Sequence, residues 1–192
     1  MKLAIVDLAY GNIGSICLAF ERFGLELVLT SNPEEIAGAD RVVLPGVGAA
    51  GYAMQRIEQL GLRDVLTSLN QPALGICLGM QLLFDRSEEA DTECLGIIPG
   101  AVRALEPAPD RPVPHMGWGR LEVRDPAMGL STGDYVYFAN GYAADPGEAT
   151  VASTDYGREI PAVVRRGNWT GAQFHPERSS EAGARFLKAF LQ

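Results

Sequence analysis

Two short stretches of this chain carry residue types that could do nucleophilic chemistry. The first is Gly75-Ile76-Cys77-Leu78-Gly79, entered from the apolar pair Ala73-Leu74 and left through Met80-Gln81-Leu82-Leu83-Phe84, which has a helical pattern. Gly-x-Cys-x-Gly between a strand and a helix has the form of a nucleophile elbow, with sulfur where hydrolases carry a serine oxygen. Gly75 and Gly79 lack Cβ atoms, so the two backbones can close on each other. A helix that begins at the nucleophile turns free N–H groups and a positive dipole end toward the sulfur, which favours the thiolate. The Leu78 N–H can then face the oxyanion formed when a carbonyl is attacked. Gly-x-Cys-x-Gly alone fits a buried structural cysteine equally well, so the rest of the chain has to decide.

The second stretch is Gln173-Phe174-His175-Pro176-Glu177, at the end of an apolar run. A cysteine nucleophile needs a base, and the chain has two histidines. In extended chain, side chains two residues apart share a face, and Pro176 favours extension before it. Glu177 is therefore expected beside His175, fixing its tautomer as the acid of a triad does. His115, in Pro114-His115-Met116-Gly117-Trp118, reads as a loop or core histidine rather than a catalytic one. Pro45-Gly46-Val47-Gly48 is either an ordinary turn at a strand end or the source of a second oxyanion donor, the Val47 N–H. Gln81 lies one helical turn past Cys77, near the nucleophile or partly exposed on the helix.

The elements that must position these groups alternate in the first half. Lys2 to Val6 reads as a buried strand, Tyr10-Gly11-Asn12 as a turn, and Ile13 to Phe23 as a helix stopped by Gly24. Strands follow at Leu25 to Thr30, Arg41 to Leu44 and Ala73 to Ile76, with helices around Tyr52 to Leu60 and Leu62 to Leu69. Such alternation predicts a parallel α/β sheet with its ligand site outside the carboxyl ends of the strands. After Cys94 prolines punctuate the chain and helix signals fade. Short strands are expected at Leu121 to Val123, Tyr135 to Phe138, Thr150 to Ser153, Ala162 to Val164 and Gly171 to Phe174. The fold class is thus α/β, a central mixed, mostly parallel sheet flanked by helices, with an antiparallel extension in the C-terminal half. Ser179 or Ser180 is expected to cap a last helix that buries Phe186, Leu187, Phe190 and Leu191.

Bulk properties narrow the class. The 192 residues suit one domain, 1–192, with a full core. Sixteen basic against twenty-four acidic residues give a net charge of −8, which argues against a nucleic-acid binder. Cys17, Cys77 and Cys94 show no disulfide framework and read as reduced thiols of a cytoplasmic protein. Asp7 arrives too soon for a signal peptide, and no apolar run is long enough to span a membrane. The scattered histidines and cysteines have no metal-ligand spacing, and no phosphate-binding loop motif is present.

Pro-Gly-Val-Gly, Gly-Ile-Cys-Leu-Gly-Met-Gln, Pro-His-Met-Gly-Trp and Gln-Phe-His-Pro-Glu occur in that order. Together they resemble the glutaminase subunits of imidazole glycerol phosphate synthases, class I glutamine amidotransferases of histidine biosynthesis. The resemblance runs nearly end to end, and Pro-Gly-Val-Gly and Pro-His-Met-Gly-Trp are its narrower motifs. It implies hydrolysis of L-glutamine by a triad of Cys77, His175 and Glu177, with an oxyanion hole at Gly46, Val47 and Leu78. It implies substrate contacts at Gln81, Glu89, Gly141 and Tyr142, and no cofactor. It further implies a heterodimer with a (β/α)₈-barrel cyclase subunit, which receives the ammonia through its barrel and makes imidazole glycerol phosphate and AICAR. Tyr10, Asn12, Trp118, Tyr137 and Arg178 are the candidates for the shared face. Three positions depart from the family pattern: Ala139-Asn140-Gly141-Tyr142 in place of Val-His-Ser/Thr-Tyr, Gly119 in place of Asn, and Arg178 in place of Lys. Two other readings are a paralogue feeding ammonia to another synthase, such as one making amino sugars, and a non-catalytic subunit that only regulates its partner.

Overall fold

The computed structural model describes residues 1–9, 13–46, 48–125 and 127–192. Its strands are β1 (Lys2–Val6), β2 (Glu26–Thr30), β3 (Arg41–Leu44), β4 (Ala73–Ile76), β5 (Phe84–Ser87), β6 (Thr92–Glu93) and β7 (Ile98–Ala104). There follow β8 (His115–Arg120), β9 (Glu122–Val123), β10 (Tyr135–Asn140), β11 (Tyr142–Ala144), β12 (Thr150–Asp155), β13 (Glu159–Arg166) and β14 (Trp169–Ala172). The helices are α1 (Gly14–Glu21), α2 (Pro33–Ala37), α3 (Ala50–Gln59), α4 (Arg63–Ser68), α5 (Leu78–Gln81) and α6 (Ser180–Phe190).

Among the described residues, eight strands form the main sheet in the order β2-β1-β3-β4-β14-β13-β12-β9. The five from β2 to β14 run parallel, and β13, β12 and β9 extend the sheet antiparallel, as the two halves of the sequence predict. The inner parallel strands β1, β3, β4 and β14 are covered on both faces, which is why they read as unbroken apolar runs, while the edge strand β2 leaves Leu29 exposed. In β1, Leu3 and Ile5 enter one core with Phe20 of α1 and Phe186 of α6, while Ala4 and Val6 enter the other with Ile36, Ile57 and Leu66 of α2, α3 and α4. A second sheet, β11-β7-β5-β6, adds Phe84, Ile98 and Val102 to that other core, and a two-stranded ribbon joins β10 to β8. None of the helices among the described residues is long and apolar enough to cross a membrane.

Several local expectations are corrected. The helix after Cys77 is a single turn, because the Leu82 and Leu83 carbonyls accept from the N–H groups of Leu95, Ile97 and Ile98 at 2.8–2.9 Å, and the chain turns into β5. Helix α2 and strands β5, β7 and β8 were not expected, although Asn32 caps α2 through Glu34 N–H at 2.9 Å and Pro33 opens it, a readable start signal. Ser179 occupies the N-cap position of α6 but its hydroxyl does not cap. It donates to the His175 carbonyl at 2.7 Å and accepts from Tyr137 N–H at 2.9 Å, tying the ribbon to the turn before the helix. The strand expected at Gly171 to Phe174 ends at Ala172. The turn at Tyr10-Gly11-Asn12 lies outside the described residues.

The elbow is where backbones come closest. A Cβ on Gly75 would lie 2.6 Å from the Gly79 carbonyl oxygen, and one on Gly79 would overlap the Leu44 carbonyl outright. Gly79→Ala is therefore expected to lower unfolding free energy by about 1–3 kcal/mol or more, as overpacking does. Gly24→Ala is the contrasting case. Its Cβ meets nothing within 4 Å, and only its φ of +67° opposes a side chain, for about 1–2 kcal/mol. Urea unfolding midpoints of the two variants check this order. A Gly79→Ala variant as stable as the parent chain would contradict the packing described.

Candidate active site

Cys77 sits at φ 55° and ψ −111°, a positive φ that only a special turn imposes on a non-glycine residue. Strand β4 ends at Ile76 and α5 begins at Leu78, so the sulfur stands at the tip between them. Cys77 N–H is anchored to the Ala172 carbonyl of β14 at 2.7 Å. Strands β4 and β14 pair in parallel with Ile76 opposite Ala172, so the residues just past both ends lie side by side. That register brings His175 to Cys77 across almost a hundred residues of sequence. Alternation puts Phe174 on the opposite side, buried against Phe138 and Phe186.

His175 Nδ1 lies 2.8 Å from Glu177 Oε1, and both side chains are largely buried. The expected pairing therefore forms, but by another route. Pro176 to Arg178 make a 3-10 turn, and only His175 itself is extended, at φ −95° and ψ 99°. Burial alone pushes the imidazole down. Hydrogen bonds and charge from Cys77 and Glu177 outweigh it and hold His175 up at about 10. An imidazole raised in this way is suited to hold a proton and give it away beside the sulfur.

These groups line one cleft of about 470 Å³, together with Ser15, Gly48, Leu78, Gln81, Glu89, Tyr137, Asn140, Gly141, Tyr142 and Arg178. The volume suits a small metabolite. Gln81 reaches the cleft wall, with its Nε2 committed to the Tyr142 carbonyl at 2.8 Å and Gln173 Oε1 at 3.0 Å. Glu89 reaches it too, with Oε2 accepting from Ala50 N–H at the start of α3 at 2.7 Å. The Leu78 N–H, expected to face an oxyanion, donates instead to the Gly46 carbonyl at 3.3 Å. Gly46 has no room for a side chain, since a Cβ there would sit 2.5 Å from Gly79 N. Val47, the other expected donor, lies outside the described residues, as do Tyr10 and Asn12.

Two of the departures from the family pattern, Gly119 and Asn140, find local reasons. A Cβ on Gly119 would lie 2.6 Å from the Phe138 ring and 2.8 Å from Thr154 Oγ1, so a longer residue does not fit there. Asn140 Nδ2 donates to the Tyr142 carbonyl at 2.9 Å, joining Gln81 in fixing that peptide, while Gly141 has nothing closer than Val113 at 3.8 Å. His115 is a ribbon residue on the inner face, stacked between Phe138 and Tyr156 at 5.0 and 3.9 Å, and burial pushes its imidazole down. On the outer face Met116, Trp118 and Tyr135 are more than half exposed, and Trp118 meets Tyr137 edge-on at 6.0 Å. The sequence reading missed Ser15, Gly48 and Gln173. Of these only Gln173 had a signal, two residues before His175 on the same alternating face.

A family model described as Glutamine amidotransferase class-I matches residues 4–192. The chain is 49% identical to imidazole glycerol phosphate synthase subunit HisH of Xanthomonas campestris pv. campestris, over 99% of this chain and 96% of that protein. It is 45% identical to imidazole glycerol phosphate synthase subunit HisH 2 of Legionella pneumophila strain Paris, over 98% and 96%. Among solved structures, a glutamine amidotransferase superposes with a TM-score of 0.76 at 21% identity, covering 98% of this chain and 96% of that one. Another from Thermotoga maritima gives 0.63 at 16% identity, covering 100% and 82%. These two establish the shared fold.

The His175–Glu177 pair has a pH signature. An imidazole raised from 6.5 to about 10 on folding contributes stability that is complete below about pH 6.5 and is lost as pH rises through 10. Glu177→Gln should flatten that alkaline fall in unfolding free energy by more than about 1 kcal/mol over the window. Urea titrations of both proteins across the range check it. Parallel curves would show that Glu177 does not hold the imidazolium.

Proposed function

The chain belongs to the class-I glutamine amidotransferase family, and we propose that it is the glutaminase subunit of a cytoplasmic imidazole glycerol phosphate synthase. Residues 1–192 form one glutaminase domain in this reading. The observation that carries it is the Cys77 sulfur at the elbow, lining one cleft with His175, whose Nδ1 is 2.8 Å from Glu177. Identity of nearly half across almost the whole length of subunits bearing that synthase's name supports the pathway.

The Cys77 thiolate attacks the carbon of the glutamine side-chain amide, forming a C–S bond and moving the C=O electron pair onto oxygen. As the oxyanion collapses, the C–N bond breaks and His175 gives its proton to the departing ammonia. Water then attacks the thioester while His175 takes its proton. Glutamate leaves and the thiolate returns. Glu177 keeps the imidazole oriented throughout. The cleft wall at Gly141 and Tyr142, with Gln81 and Glu89, receives the amino-acid end of the substrate. Glu89 supplies a carboxylate for its α-ammonium group.

Because the Gly46 carbonyl occupies the Leu78 N–H, an oxyanion can be held only when that carbonyl turns away. Loss of one such donor lowers rate on the order of 10²–10³. The free subunit is therefore nearly idle, and a partner that favours the turned peptide switches it on. The relatives' names make this chain one subunit of a larger enzyme. The partner we propose is the (β/α)₈-barrel cyclase, docked over the exposed outer face of Trp118 and Tyr137 beside the cleft and receiving ammonia there. Arg178, at the cleft mouth, belongs to the same face in this reading.

Steady-state glutaminase assays test the reading with the chain alone, with the cyclase, and with the cyclase plus its nucleotide substrate. Activity should rise on the order of 10²-fold or more in the last mixture. Full activity of the free chain would defeat the switch. Cys77→Ala should abolish glutamine use while the complex still runs on added ammonium, since the barrel chemistry is separate. Persisting hydrolysis in that variant would remove Cys77 from the mechanism.

A further inference from the structure

We propose that Gln173 is a positioning residue for the nucleophile. Its buried side-chain amide aims an N–H at the Cys77 sulfur, and Gln81 braces that amide from the other side. The inference rests on Cys77 being the nucleophile, and it assigns a role to a residue outside the triad and the substrate cleft.

Gln173 has no exposed surface. Its Oε1 accepts from Gln81 Nε2 at 3.0 Å, and its Nε2 faces Cys77 Sγ at 4.0 Å. Gln81 Nε2 spends its other hydrogen on the Tyr142 carbonyl at 2.8 Å. One hydrogen-bonded line thus runs from the cleft wall at Tyr142, through two amides, to the sulfur. Among the described residues, the acceptor within reach of Gln173 Nε2 is that sulfur. Burying an amide without partners costs on the order of 1–3 kcal/mol, and a methionine would fill a similar volume at no such cost. An amide that persists here is therefore explained by what it donates to.

The geometry gives the donor two effects. An N–H directed at a group that can be charged favours its charged form, here the thiolate. It also fixes the direction of the sulfur, which lines the cleft together with His175. The titratable groups beside the sulfur are His175 and, behind it, Glu177. The register that places residue 173 beside residue 77 past the ends of β14 and β4 is the one that delivers His175. The bracing also ties Gln81 to the nucleophile, leaving its Oε1 as the atom that remains for substrate.

The test is alkylation of Cys77 by iodoacetamide across about pH 5–10, read by peptide mass on the full chain, for the parent protein, Gln173→Met and Gln81→Met. In Gln173→Met the rate at neutral pH should fall about tenfold and the pH midpoint of the curve should rise by about one unit. Gln81→Met should shift it the same way by less, and Cys17 should react unchanged in all three. With the cyclase and its nucleotide present, Gln173→Met should lower kcat about tenfold and leave KM for glutamine within about threefold. An unshifted alkylation curve, or a rise in KM alone, would overturn the proposal. Should Gln173→Met fail to fold, the parent chain decides by NMR. Its Gln173 side-chain amide signals should move over the pH range in which alkylation turns on, and signals that stay fixed would overturn the proposal. If the complex does not use glutamine while the alkylation shift still appears, the glutaminase reading fails and the Gln173–Cys77 contact stands.

Discussion

The molecule depends on one close backbone approach. At the elbow, Gly79 lies against the Leu44 carbonyl, Gly75 against Gly79, and Gly46 against Leu78, each at a spacing no side chain could share. This contact drives Cys77 to a positive φ, a conformation that costs on the order of 1–3 kcal/mol and persists only where the surroundings enforce it. The enforcement comes from the parallel strands on both sides of β4 and from the buried turn of α5. In return, the sulfur is lifted out of the sheet at its carboxyl edge while its own backbone stays anchored to β14.

Everything else at the site follows from what that edge gathers. Strand β3 brings Gly46, β4 brings Cys77, and β14 brings Gln173, His175 and, through a 3-10 turn, Glu177. The same crowding that builds the elbow sets its resting state. Gly46 is packed so tightly on Leu78 that its carbonyl takes the N–H an oxyanion would need. On the proposed reading, a site with its nucleophile formed and its oxyanion donor occupied suits a subunit whose activity is useful only when a partner is ready for ammonia.

The sequence made the catalytic half legible because it depends on short-range rules. Glycine spacing marked the elbow, unbroken apolar runs marked β1, β3 and β4, and the His-Pro-Glu spacing marked the pair of His175 and Glu177, although a 3-10 turn and not two-residue alternation joins them. Parallel order placed their loops on one edge. What stayed hidden depends on distant partners or broken periods. Strand β7 contains Pro99 and Gly100, the latter at φ +130°, and β5 is bulged against it, so neither shows alternation. The apolar run after Gln81 reads as helix because nothing local reveals that Leu95, Ile97 and Ile98 will claim its carbonyls. The bond from Ala50 N–H to Glu89 spans 39 residues, and the Gly46–Leu78 contact reverses a donor that the motif alone points outward. Ser179 sits where a cap belongs, yet its hydroxyl serves His175 and Tyr137.

The central claim is that one sulfur, held at its elbow beside the imidazole of His175, receives glutamine. Peptide mass mapping after reaction of the full chain, in complex with the cyclase, with a diazoketone analogue of glutamine reads this directly. A single adduct on Cys77, suppressed by excess L-glutamine, is the expected result. An adduct on Cys17 or Cys94 instead, or labelling of Cys77 that glutamine does not slow, would contradict it.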